Sequence, residues 1–65
     1  MSIVDQIIAY ESGDLDADQT IELFSTLVDN GMAWTLQGHY GRTAQALIDQ
    51  GYLSPEGDIL KFAGE

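Results

Sequence analysis

"DLDADQTIELFSTLVDNG", residues 14–31, is the stretch that decides the fold. Ile21, Phe24, Leu27 and Val28 recur at spacings of three and four, which lines them along one face of an α-helix, and Leu23 widens that stripe. Asp16 stands where an N-cap belongs. Gln19, three residues on, completes a capping box. Asp14, Asp16 and Asp18 crowd the helix start, where the macrodipole favours anions. Asn30-Gly31 ends the helix, because glycine takes the left-handed conformation without steric cost. Asp18, Glu22, Ser25 and Asp29 fall on the opposite stripe and are expected to face water.

The same grammar extends in both directions. "SIVDQIIAYESG", residues 2–13, begins with a good N-cap in Ser2, has Asp5 at the third helical position and ends on Gly13. Ile3, Val4, Ile7 and Ile8 read as one apolar face. "MAWTLQG", residues 32–38, reads as one or two helical turns closed at Gly38. "HYGRTAQALIDQG", residues 39–51, reads as a third full helix with Tyr40, Ala44, Leu47 and Ile48 on its stripe and Gly51 as its stop. Whether that helix starts before or after Gly41 is left open by the pattern. In the tail, Ser54-Pro55-Glu56-Gly57 suits a β-turn between Tyr52-Leu53 and Ile59-Leu60. Two readings follow: a short C-terminal β-hairpin, or an apolar arm folded back over the helices. Residues 63–65 are expected to fray.

The fold class is therefore all-α: a single small domain, residues 1–65, of three main helices and a short connecting helical turn. The expected core is Ile3, Ile7, Leu23, Phe24, Leu27, Val28, Trp34, Leu36, Ala44, Leu47 and Ile48. A chain of 65 residues buries only about 60% of the surface its unfolded form exposes. Net stability is then ~3–5 kcal/mol for a monomer. There is no cysteine to add a disulfide, and one histidine without cysteine speaks against a structural zinc site.

The formal net charge is −9, from eleven acids against Arg42 and Lys61. That is the reverse of a nucleic-acid footprint, and it repels phosphate and anionic lipid. It favours solubility and basic partners, and it strains the compact state by self-repulsion. No basic leader precedes an apolar run, and no run approaches the ~20 residues of a membrane span. The expectation is a cytoplasmic protein with no nucleic acid or membrane as partner.

Several stretches invite a chemical reading. From Asp14, the first three acids of a calcium loop are in place. Gln19 and Ser25 stand where its glycine and bidentate glutamate belong, so an acidic helix start is the better account. His39 and Arg42 could suggest acid–base chemistry. No serine or cysteine nucleophile stands nearby in sequence, and so small a domain has little room for a ligand pocket of ~300–1,000 Å³. His39 is then read as a cap or as a partner of backbone carbonyls after Leu36. "GHYG" lacks the Lys and Ser/Thr of a phosphate loop. Gly38 is read as a helix stop, and Gly41 as a point where backbones pass closely. Three helices and a turn resemble a winged helix in outline. Yet the third full helix carries one cation and "SPEGD" is acidic, so duplex binding is rejected. Trp34, Tyr40 and Tyr52 are bulky enough to build a small core, and Trp, Tyr and Arg are also the residues enriched at interface hot spots. Trp34 is assigned to the core first. Tyr40 and Arg42 are divided evenly between core and interface.

From Tyr10 to Leu53 the chain resembles a family of small acidic proteins of tailed phages, some of them marine. "YESGDLD" and "TIELFSTLVDNGMAWTLQGHYGRTAQALIDQGYL" carry the likeness, and "LQGHYGRTA" is its most distinctive part. The family has no assigned function. The resemblance implies a phage protein made in the host cell cytoplasm, and it implies no catalytic residue.

The functional expectation is a non-enzymatic protein-interaction module without catalytic residue, cofactor or metal: a phage-encoded modulator that presents its acidic surface to a basic host protein. The candidate interaction residues are Trp34, His39, Tyr40, Arg42, Asp18, Glu22 and Asp29. The alternative is a self-assembling structural protein that buries Tyr40, Tyr52 or Phe62 against a second copy. A third reading is a small-ligand or anion binder near His39 and Arg42.

Overall fold

The computed structural model describes residues 2–64. Three α-helices form, α1 (Ile3–Glu11), α2 (Ala17–Asp29) and α3 (Gly38–Asp49), with one 3₁₀ turn at Met32–Trp34 between α2 and α3. Local chemistry accounts for their ends. The Asp5 N–H donates to Ser2 Oγ at 3.3 Å. At α2 the capping box is reciprocal: Gln19 N–H donates to Asp16 Oδ1 at 2.7 Å, and Asp16 N–H to Gln19 Oε1 at 3.0 Å. α3 ends with Gly51 N–H on the Ile48 carbonyl and Tyr52 N–H on that of Leu47, at 3.1 and 2.9 Å.

The corner after α2 is sharper. Gly31 has φ +81°, a left-handed conformation that a Cβ would strain. Asn30 Oδ1 then accepts from Met32 N–H at 2.9 Å. The chain enters the 3₁₀ turn at once instead of drifting into a loop. Gly38 does not close this turn, as the sequence reading had it. It is the first residue of α3, which runs through Gly41.

α2 is the central element. It supplies Ile21, Leu23, Phe24, Leu27 and Val28 to the buried core, and Ala33, Tyr40, Ala44 and Leu53 complete it. Leu23, Phe24, Leu27, Val28 and Ala44 are therefore buried as their spacing predicts. Ile3, Ile7, Leu36, Leu47 and Ile48 are half-buried against that core. Tyr10, Phe24 and Tyr40 meet with ring centroids 5.3–6.0 Å apart, one aromatic from each helix.

Trp34 corrects the expectation most plainly, because it is 49% exposed. The 3₁₀ turn buries one of its three residues fully and packs Met32 partly against the core. The fully buried residue is Ala33, at 1% exposure. The indole lies outside, with Cε3 at 3.7 Å from where a Cβ on Gly41 would stand.

The C-terminal segment forms no strand among the described residues, so the hairpin reading fails. One antiparallel bridge, Leu53 to Ile59, closes the turn. Ser54 organises it: its hydroxyl oxygen accepts from Glu56 N–H and Asp58 N–H, at 3.3 and 3.0 Å. The tip of the turn is taken by α2 instead of continuing a ladder. Gly57 is buried, with φ +99°, and the Ser25 hydroxyl donates to its carbonyl. From there the chain runs back along α2 until Gly64 N–H donates to Asp18 Oδ1 at 3.2 Å. The folded-back arm is what forms. Ala63 and Gly64 lie at the start of α2, while Glu65, the last residue of the stretch expected to fray, lies outside the described residues.

Candidate interaction surface

The seven residues singled out from sequence fall into two sets. Asp18, Glu22 and Asp29 lie along one stripe of α2. That stripe was expected to face water throughout, and the C-terminal arm crosses both of its ends. Gly57 is wedged between Ser25 and Asp29, and Gly64 sits on the Asp18 carboxylate. Asp18 is half-buried and partly occupied in pinning its own chain. Glu22 and Asp29 remain exposed.

Trp34, His39, Tyr40 and Arg42 gather where the 3₁₀ turn enters α3. Their roles differ. Arg42 is exposed, and a Cβ on Gly38 would come within 3.5 Å of its guanidinium. His39 is half-buried and its ring lies 4.3 Å from that of Tyr40, centroid to centroid. Tyr40 is 2% exposed, so it presents no surface to a partner, and this corrects its place among the interaction candidates and in the self-assembly reading. Its hydroxyl donates to Glu11 Oε2 at 2.7 Å, tying α3 to the end of α1. Burial pushes the Tyr40 phenol up to about 12, and the Glu11 carboxylate adds to the shift by hydrogen bond and charge. Tyr52 is half-buried, with the Lys61 ammonium 4.8 Å above its ring.

Two cavities flank α2. One of about 140 Å³ is lined by Gln6, Leu15, Gln19 and Glu22, and one of about 270 Å³ by Asp16, Ala17, Asp18, Ala63 and Gly64. Both fall below the ~300–1,000 Å³ usual for small-molecule sites. His39 and Arg42 line neither. Among the described residues no three metal-ligating side chains gather to hold an ion. Asp16 is spent on the α2 cap and Asp18 on Gly64. No helix among the described residues is long and apolar enough to cross a membrane.

The surface that sequence reasoning missed is on α1. Val4 and Ile8 are 59% and 57% exposed, although they read as one face with Ile3 and Ile7. The signal was present. At about 100° per residue, positions 4 and 8 lie roughly 100° around the helix from 3 and 7. Ile3, Ile7 and Tyr10 take the core side, which leaves Val4 and Ile8 outside.

Comparison with curated proteins gives no match, and comparison with solved structures gives none either. A family model does match, over residues 1–65, and by that match the chain belongs to the family described as domain of unknown function DUF7417.

Proposed function

We propose that the protein is a non-enzymatic protein-interaction module whose acidic surface engages a basic protein partner. The observation that carries this reading is the charge distribution. The chain holds eleven acids against two cations, with Glu22 and Asp29 exposed on α2, and Lys61 sits over its own Tyr52. Such a field attracts basic surfaces and speeds encounter with them. In its finer form the partner is a host protein and the module is phage-encoded, acting in the bacterial cytoplasm. The resemblance of residues 10–53 to small acidic phage proteins supports that form.

The test is capture of a partner from bacterial lysate by the tagged chain, washed at low and at high salt. A single stoichiometric partner released by salt, and lost from the Glu22→Gln/Asp29→Asn variant, is the expected result. Unchanged capture by that variant would remove the acids of α2 from the reading. Asp18 is left out of the variant because its carboxylate also holds Gly64.

The self-assembly alternative draws less support. Tyr40 is buried, and Tyr52 and Phe62 are already packed against the chain's own core. A ligand site at His39 and Arg42 finds no support in the two cavities, which lie elsewhere.

A further inference from the structure

α1 is apolar on two sides and buries only one of them. Ile3, Ile7 and Tyr10 pack against the core, yet no residue of the helix is fully buried. Val4 and Ile8 stand one turn apart on the outer side, each more than half exposed. Asp5, Gln6 and Glu11 keep α1 amphipathic, but its apolar arc is wider than the part the core covers. At about 100° per residue, Glu11 falls beside Val4, and Asp5 falls on the far side of Ile8. Two aliphatic side chains are thus framed by two carboxylates, and α1 carries no Lys or Arg. The Tyr40 hydroxyl holds Glu11 through Oε2, which sets where that carboxylate stands.

We propose that this outer face of α1 docks a basic amphipathic helix of a partner protein. The partner's apolar side chains cover Val4 and Ile8, and its Lys or Arg side chains meet Asp5 and Glu11. The inference rests on the acidic-surface reading above and moves its centre from α2 to α1. Charge selects the occupant. A second copy of the chain would bring −9 against −9. In a two-fold contact through α1 it would bring the Asp5 and Glu11 carboxylates of one copy up against those of the other. A basic helix gains from both the apolar pair and the carboxylates. Helix-on-helix recognition through residues at i and i+4 is the mode such a face offers.

The test is a titration of the ¹⁵N-labelled full chain with a synthetic helical peptide that has leucines on one face and lysines on the other. A second peptide of the same composition has its leucines scattered around the helix. Saturating amide shifts centred on Val4, Asp5, Ile8 and Glu11, seen with the first peptide and much weaker with the second, are expected. Val4→Gln/Ile8→Gln should weaken that binding about tenfold or more, because each change puts a polar amide where an aliphatic side chain would be buried. The variant's melting temperature should stay close to that of the parent, because both positions are exposed.

Shifts centred on Glu22 and Asp29, with affinity unchanged in the double variant, would overturn the inference and leave the acidic-surface reading standing. Equal binding of the two peptides would overturn the apolar half of it. No binding of either peptide would overturn the α1 site, while the lysate capture separately decides whether a basic partner exists. A dimer in sedimentation that Ile8→Gln dissociates would overturn the choice of occupant in favour of a second copy.

Discussion

The Tyr40 hydroxyl donates to Glu11 Oε2 at 2.7 Å, joining the first turn of α3 to the last residue of α1 across 29 positions of sequence. The phenol beneath it packs on Tyr10 and Phe24, so one side chain closes both the polar and the apolar contact between these helices. Tyr40→Phe should cost ~1.5–3 kcal/mol, the range for a hydrogen bond to a charged group. Tyr40→Ala should cost ~3–5 kcal/mol, enough to unfold a domain this small. Urea melts of the three proteins check both figures.

The same phenol sets an alkaline limit. Its pKa is raised in the fold, from 10.0 to about 12, so the folded state favours the protonated form. The stability this contributes is complete below pH 10. It is lost as pH rises from there through about 12, since unfolding then releases a proton. Stability measured between these limits should fall with pH in the parent and fall less steeply in Tyr40→Phe. Parallel curves would deny Tyr40 this role.

Gly57 should be the least replaceable glycine. Its φ is +99°, and a Cβ there would meet the Asp29 nitrogen and the Ser25 carbonyl oxygen at 2.7 Å each. Gly57→Ala must either lift the turn from α2 or distort the helix backbone, at a cost of ~2–3 kcal/mol or more. Ser25→Ala removes only the hydroxyl that anchors the same turn and should cost ~1 kcal/mol. Thermal melts would rank the two. Hydrogen exchange should then show faster opening at Ser54–Asp58 in both variants.

Gly41 should behave in the opposite way. A Cβ there would lie 3.5 Å from the Ala33 carbonyl oxygen and 3.7 Å from Trp34 Cε3, ordinary van der Waals distances. Its backbone is helical. Gly41→Ala should therefore raise stability by ~0.5–1 kcal/mol through the lost unfolded-state entropy. A lower melting temperature would mean that the close approach of α3 to the 3₁₀ turn does require glycine.

Trp34, half exposed, should be quenched efficiently by acrylamide in the native state. Trp34→Gln should change stability by no more than about ±0.5 kcal/mol, the range for surface positions. A blue-shifted, poorly quenched emission would return the indole to the core.

Self-repulsion among the eleven acids should make the fold salt-sensitive. Raising ionic strength from ~0.01 to 0.15 M shortens the screening length from about 30 to 8 Å, and the melting temperature should rise with it. A steady fall with added salt would mean that attractive pairs outweigh the net charge.

The helices, their caps and their stops were determined locally, and so the sequence by itself carried them. A capping box such as Asp16–Gln19 spans four residues, and the α2 stripe Ile21–Phe24–Leu27–Val28 is a matter of spacing within one segment. Tertiary structure decided what depends on residues far apart. Trp34 and Tyr40 are both large aromatics near one corner. Tyr40 went inside because Glu11, 29 positions away, receives its hydroxyl, and Trp34 stayed out because the small Ala33 fills the inward position of the 3₁₀ turn. The tail could have paired with itself. It lies along α2 because Gly57 fits between Ser25 and Asp29, and Gly64 reaches Asp18, across 32 and 46 positions measured from Ser25 and Asp18. The division of α1 into a covered and an open side follows the same rule. Its periodicity is written in residues 3–11, but which side meets the core is settled by the aromatic contacts of Tyr10 with Phe24 and Tyr40.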